Sequence, residues 1–117
     1  MGATGPFTYR IQLSRSPLTD DLTGKQRRHL RALGYALKPT VSVGKAGVTA
    51  AVVRSVDDGY KTTELIKARL ERSWEVDRKE GAQQLASATS SHLVQVLGRT
   101  VLLYRPDPDE PEIRLPG

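Results

Sequence analysis

The stretch Lys38-Pro39-Thr40-Val41-Ser42-Val43-Gly44-Lys45-Ala46-Gly47-Val48-Thr49 combines the residue types that a phosphate-holding turn needs. Two glycines bracket Lys45 and Ala46, after a short β-branched run and before a helical pattern. Glycine accepts positive φ and lets another backbone come close. A turn ahead of a helix also aims N–H groups outward at the positive end of the helix dipole, a natural seat for an anion. Lys45 would add a mobile charge at the tip. Turn chemistry alone produces the same spacing in many strand–helix connections. The spacing G-x-x-x-x-G-K-[ST] is absent, so nucleotide hydrolysis has no support.

Charge placement favours an anionic partner. The 117 residues carry 18 Lys and Arg against 13 Asp and Glu, a formal net charge of +5. From Leu22 to Val56 there is no carboxylate, yet Lys25, Arg27, Arg28, Arg31, Lys38, Lys45 and Arg54 fall inside. A helix face without interleaved acids lacks the i,i+4 pairs of an ordinary solvated helix. Beyond Arg105 the chain turns acidic and proline-rich, with Asp107, Asp109, Glu110 and Glu112 against Arg114. That split suggests a tail able to shield the basic half. Charge of this kind attracts nucleic acid without separating RNA from DNA.

Other chemistries find little to work with. There is no cysteine, which removes disulfides, thiolate metal sites and a cysteine nucleophile, and suits a reducing compartment. His29 and His92 have no partner at metal-ligand spacing. No serine sits in G-x-S-x-G. Asp57, Asp58, Glu71, Glu75 and Asp77 read as solvated charges, and Tyr60 and Trp74 as packing residues. Tyr104 could stack on a base if its face of the strand is open. No apolar run approaches the ~18–20 residues of a membrane span, and the first residues have no signal-peptide core. The expectation is a cytoplasmic, monomeric, non-catalytic protein without metal or cofactor.

The elements that must position these residues read in order. Thr23-Gly-Lys-Gln26 is a capping-box spacing that opens a first helix. Leu22, Leu30, Leu33 and Leu37 are expected on its core side, and Pro39 ends it. Thr40 to Val43 is a strand. Val48, Val52, Val56 and Tyr60 then recur every four residues as a second helix with Thr49 as N-cap. Glu64 to Leu70 alternates, with Ile66, Ala68 and Leu70 on one face and Leu65, Lys67 and Arg69 on the other. Asp77 to Ser90 is a third helix with an inner stripe of Ala82, Leu85, Ala86 and Thr89. HLVQVL and TVLLYR flank Gly98-Arg99, a type II′ hairpin signal. Tyr9, Ile11 and Leu13 allow a short edge strand. The implied fold is an α/β two-layer sandwich in α-β-α-β-α-β-β order on a four-stranded mixed sheet. Helices on one face would leave Lys67 and Arg69 on an open face.

Four pieces in this order, LTGKQRRHLRALG with LKP, then VGKAGVT, ELIKARL and LVQVLGRTVLLYRP, resemble the CRM domain (chloroplast RNA splicing and ribosome maturation) in its stand-alone bacterial YhbY-type form. The resemblance runs from about Leu22 to Arg105. It divides the chain into an extension (1–18), a CRM-like domain (19–106) and an acidic tail (107–117). It implies a fold similar to the C-terminal domain of translation initiation factor three. It also implies RNA binding, with bacterial members tied to precursors of the large ribosomal subunit and plant members to intron splicing. Its GxxG loop maps onto Gly44, Lys45, Ala46 and Gly47, its basic helix onto Lys25, Arg27, Arg28 and Arg31, and its LKP onto Leu37, Lys38 and Pro39. Gly34-Tyr35 departs from the Ala-His of many relatives. With Arg54, Lys67 and Arg69 these residues form the expected RNA-contacting set, reading backbone and shape more than base sequence. The competing expectation is an adaptor that docks on ribosomal proteins through its sheet face.

Overall fold

The computed structural model describes residues 22–117; the extension, with the alternation at Tyr9, Ile11 and Leu13, lies outside the described residues. Helix α1 (Gly24–Gly34) opens on a reciprocal cap. The Gln26 N–H donates to Thr23 Oγ1 at 3.0 Å, and the Thr23 N–H donates to Gln26 Oε1 at 3.1 Å. Strand β1 (Val41–Val43) follows Pro39. Helix α2 (Ala50–Gly59) is capped by Thr49, whose hydroxyl accepts from Val52 N–H. Strand β2 (Leu65–Leu70) alternates as its sequence requires. Helix α3 (Arg78–Ala88) starts at Asp77, which accepts from the Lys79 and Glu80 amides. It stops short of the expected Ser90: buried Thr89 turns its hydroxyl back onto the Leu85 carbonyl, and Ser90 takes a left-handed φ of 54°. Strands β3 (His92–Leu97) and β4 (Thr100–Tyr104) form the hairpin. Gly98 holds φ at 59° and Arg99 stays outside the left-handed region, as a type II′ turn demands.

The four strands lie in the order β1-β2-β4-β3, with β1 and β2 parallel and the other pairs antiparallel. This is the expected sandwich order and mixed sheet. The helices, however, do not share one face. Val56 and Tyr60 of α2 and Ala82, Leu85 and Ala86 of α3 pack with Val41, Val43, Ile66, Ala68, Leu70, Val101 and Leu103. Leu30 of α1 packs on the reverse side with Leu65, Val94, Leu102 and Tyr104, joined by Leu22, Ile113 and Leu115. The strands alternate between two cores, because Leu65, Leu102 and Tyr104 give the reverse face an apolar patch of its own.

Three side-chain expectations change with that placement. Leu33 and Leu37 are exposed at 45% and 37%, since only Leu30 of the α1 leucines faces the sheet. Tyr104 is 3% exposed beneath α1 and stacks on His92 with ring centroids 5.8 Å apart, so it offers no open face to a base. Tyr35 is the exposed aromatic among the described residues, at 88%. Gly34 presses on the sheet: a Cβ there would lie 2.6 Å from a Leu102 methyl.

The acidic tail is held by its backbone. Buried Glu64 accepts N–H groups from Asp107 (2.5 Å), Glu112 (2.9 Å) and Ile113 (2.7 Å). Gln26 also donates its side-chain amide to the Pro116 carbonyl at 3.2 Å. No tail carboxylate forms an ion pair among the described residues, where the pairs are Lys61–Asp58 and Arg105–Asp57. The Asp107 carboxyl instead accepts the Glu110 and Asp109 amides, which lower its pKa. The tail is therefore a structural strap.

Two outcomes test this packing. Leu30→Ala should cost about 2–5 kcal/mol by urea denaturation, whereas Leu33→Ala should cost about 1 kcal/mol or less. Burial pushes the Tyr60 hydroxyl up to about 12, partly offset by its bond to Ser91 and by Arg105. The folded value lies above the unfolded one, so the associated stability is intact below about pH 10 and is lost as pH rises toward 12. The loss, on the order of 2 kcal/mol, should flatten in Tyr60→Phe.

Candidate nucleic-acid interface

The GKAG segment forms a tight turn at the C-terminal end of β1. The Gly47 N–H donates to the Gly44 carbonyl at 2.8 Å, leaving Lys45 and Ala46 at an exposed corner. The Lys45 and Ala46 amides donate to no group among the described residues. They precede α2 and stand near the positive end of its dipole.

The two glycines have different jobs. Gly47 is buried with φ at 75°, and a Cβ there would meet the Trp74 indole nitrogen at 3.1 Å. The fold itself needs that glycine. Gly44 has no positive φ, and a Cβ there would meet only the Ser73 hydroxyl at an ordinary 3.8 Å. Packing gives no reason for a bare backbone at Gly44, whereas close approach of a ligand does.

Strand register gathers further cations beside the turn. Ser42 pairs with Arg69 and Arg69 with Thr100, so these three form a row across the sheet on the α1 side. Lys67 lies one row below, half-buried; Arg69 is exposed. Neither cation has a hydrogen-bond or ion-pair partner among the described residues. Lys38 is exposed in the segment that leads into β1.

The other expected cations are elsewhere. Arg27 turns inward and donates to the Leu93 and Val94 carbonyls at a bulge of β3, at 2.5 and 3.0 Å. It fastens α1 to the sheet edge opposite β1. Three interstrand spacings, roughly 14 Å, separate those edges. Lys25 and Arg28 are exposed and Arg31 half-buried on the same helix. Arg54 is exposed on α2, in the layer on the reverse side of the sheet from α1. The structure thus sets the Gly44–Gly47 turn beside Lys67 and Arg69 on the α1 side of the sheet, and leaves Arg54 on a helix that packs against the other face.

Two arginines without a motif of their own in the sequence, Arg72 and Arg99, also face this end of the sheet. Their order in the chain gives no hint of it; the β2–β4 pairing brings them together. Four of the five carboxylates expected to be solvated charges hold structural partners. Asp57 pairs with Arg105 at 3.1 Å, Asp58 with Lys61 at 3.2 Å, Glu71 accepts from the Ser42 hydroxyl, and Asp77 caps α3. Among the described residues no cluster of three His, Cys, Asp or Glu could hold a metal ion.

Comparison with known proteins bears on the same region. The CRS1 / YhbY (CRM) domain family model matches residues 22–105. The chain is 36% identical over 95 residues to "Probable RNA-binding protein YqeI" of Bacillus subtilis, covering 81% of this chain and 99% of that protein. It is 30% identical over 95 residues to an "RNA-binding protein" of Haemophilus influenzae, covering 81% and 95%. The solution structure of SAV1595 from Staphylococcus aureus superposes with a TM-score of 0.66 at 37% identity, covering 81% of this chain and 99% of that one.

The division of labour between the glycines is measurable without any ligand. Gly47→Ala should lower stability by about 1–2 kcal/mol, the cost of a side chain in left-handed backbone against Trp74. Gly44→Ala should stay within about 1 kcal/mol of wild type in the same denaturation experiment.

Proposed function

The chain belongs to the CRS1 / YhbY (CRM) domain family, and from that premise we propose that it is a non-catalytic RNA-binding protein that grips phosphate backbone at the GKAG turn. One observation carries the reading: Gly44 is bare where packing does not require it, beside the Lys45 and Ala46 amides and the Lys45 ammonium, none of which has a partner among the described residues. A phosphate oxygen placed at the corner would accept from the Lys45 and Ala46 amides while the lysine ammonium approaches from the tip. Lys67 and Arg69 continue the positive track along the sheet. Arginine's planar fork suits phosphate oxygens. Such contacts position an RNA without reading its bases, so folded shape is the recognised feature.

The finer reading is ribosomal RNA within a precursor of the large subunit, met by a monomer in the cytoplasm. The family resemblance supports it, as do relatives that bear RNA-binding names. The adaptor alternative relied on an open sheet face. That face is occupied by α1 and the tail, apart from the strip of Ser42, Lys67, Arg69 and Thr100. A cationic strip favours phosphate over an apolar protein surface.

RNA affinity measured against salt tests the proposal. With a structured ribosomal RNA fragment, log K should fall linearly with log salt, and Lys45→Gln should reduce the slope by about 0.7–0.9, one phosphate contact. Gly44→Asp, whose Cβ would meet only ordinary contact at 3.8 Å, should abolish most of the affinity once circular dichroism shows that the variant folds. Binding that is insensitive to salt and to both variants would overturn the reading. Matched duplex DNA, bound more weakly, completes the expected result.

A further inference from the structure

Next to the GKAG turn, a cleft of about 460 Å³ is lined by Arg69, Leu70, Glu71, Arg72, Ser73 and Arg99. Three guanidinium groups share it with one carboxylate. That carboxylate, on Glu71, accepts from the Ser42 hydroxyl, and none of the three arginines pairs with an acid among the described residues.

Arg99 is fixed in place. Its Nε donates to the Leu70 carbonyl at 2.8 Å and its Nη2 to the Glu71 carbonyl at 2.9 Å, from a half-buried position. Among the described residues its hydrogen bonds run to backbone carbonyls, and a partly desolvated cation attracts an anion more strongly than a solvated one. Arg72 is exposed, and among the described residues no hydrogen bond or ion pair engages its guanidinium. Ser73 borders Gly44: its hydroxyl lies 3.8 Å from the position a Gly44 Cβ would take. Cleft and turn are therefore contiguous.

We propose that this cleft is a second phosphate subsite, which receives a backbone phosphodiester of the same RNA strand held at the GKAG turn. Arg72 is its main ligand, Arg69 flanks it, and Arg99 positions the β2–α3 connection while supplying fixed charge. The strand then crosses the C-terminal ends of β1 and β2 and does not run along α1. The inference rests on the RNA-binding reading above.

The test compares wild type, Arg72→Gln, Arg72→Lys and Lys79→Gln by RNA affinity against salt, with a structured fragment carrying a 5′-hydroxyl. Lys79 is exposed on α3 and serves as the charge-matched control. Arg72→Gln should weaken binding several-fold at low salt and flatten the slope by about 0.7–0.9; Arg72→Lys should restore the slope, and Lys79→Gln should leave both unchanged. If Arg72→Gln matches Lys79→Gln while Lys45→Gln still flattens the slope, the cleft assignment is wrong and the RNA reading stands. If no variant alters a salt-independent affinity, both fail. A requirement for a 5′-phosphate on the fragment would also overturn the backbone assignment.

Discussion

Strand β2 sits inside the sheet and must satisfy two cores at once. Its inward residues Ile66, Ala68 and Leu70 serve the α2–α3 side. Of its three residues on the other face, only Leu65 is apolar. A helix can cover that face only where there is apolar surface to remove from water. Helix α1 accordingly settles over Leu65, Leu102, Tyr104 and Val94 and stops there. The cationic half of the face stays uncovered because it has nothing to offer a helix. The same alternation that builds the second core thus leaves the strip leading to the GKAG turn.

The element order is legible in the sequence because its signals are local. Thr23, Thr49 and Asp77 cap the helices that their spacing predicts, since an N-cap depends on residues three or four apart. The stripe of Val48, Val52, Val56 and Tyr60, the alternation of β2 and the Gly98 turn are equally local. Which face each helix covers is a different kind of information. Leu30, Leu33 and Leu37 are chemically equivalent, and only the position of the Leu65–Leu102 patch decides that Leu30 is buried and the others are exposed. Tyr104 shares the reason: its burial depends on a helix some seventy residues earlier in the chain.

The candidate site divides along the same line. Its turn is readable, since G-K-A-G is contiguous. Arg27 carries the same charge signal as Arg28, yet one bonds to carbonyls of a bulge and the other faces solvent. A bulge has no reliable sequence mark, and Val94 gives no sign of being the extra residue. Arg72 and Arg99 are hidden for the opposite reason: each is an isolated cation in sequence, and the pairing of β2 with β4 makes them neighbours. Glu64 reads as the start of a strand, yet it gathers three amides from a segment more than forty residues away.

That strap has a consequence for the order in which the protein is made. Ile113 and Leu115 complete the α1-side core, and among the described residues the Glu64 carboxylate is satisfied by amides at 107, 112 and 113. During vectorial synthesis, α2, β2 and α3 can begin to pack while translation continues. Helix α1, the first described element to leave the ribosome, cannot complete its core until Ile113 and Leu115 have followed it. Buried Glu64 likewise waits for amide donors that lie behind it in the exit tunnel. The earliest of the described helices is therefore among the last parts of the domain to become secure.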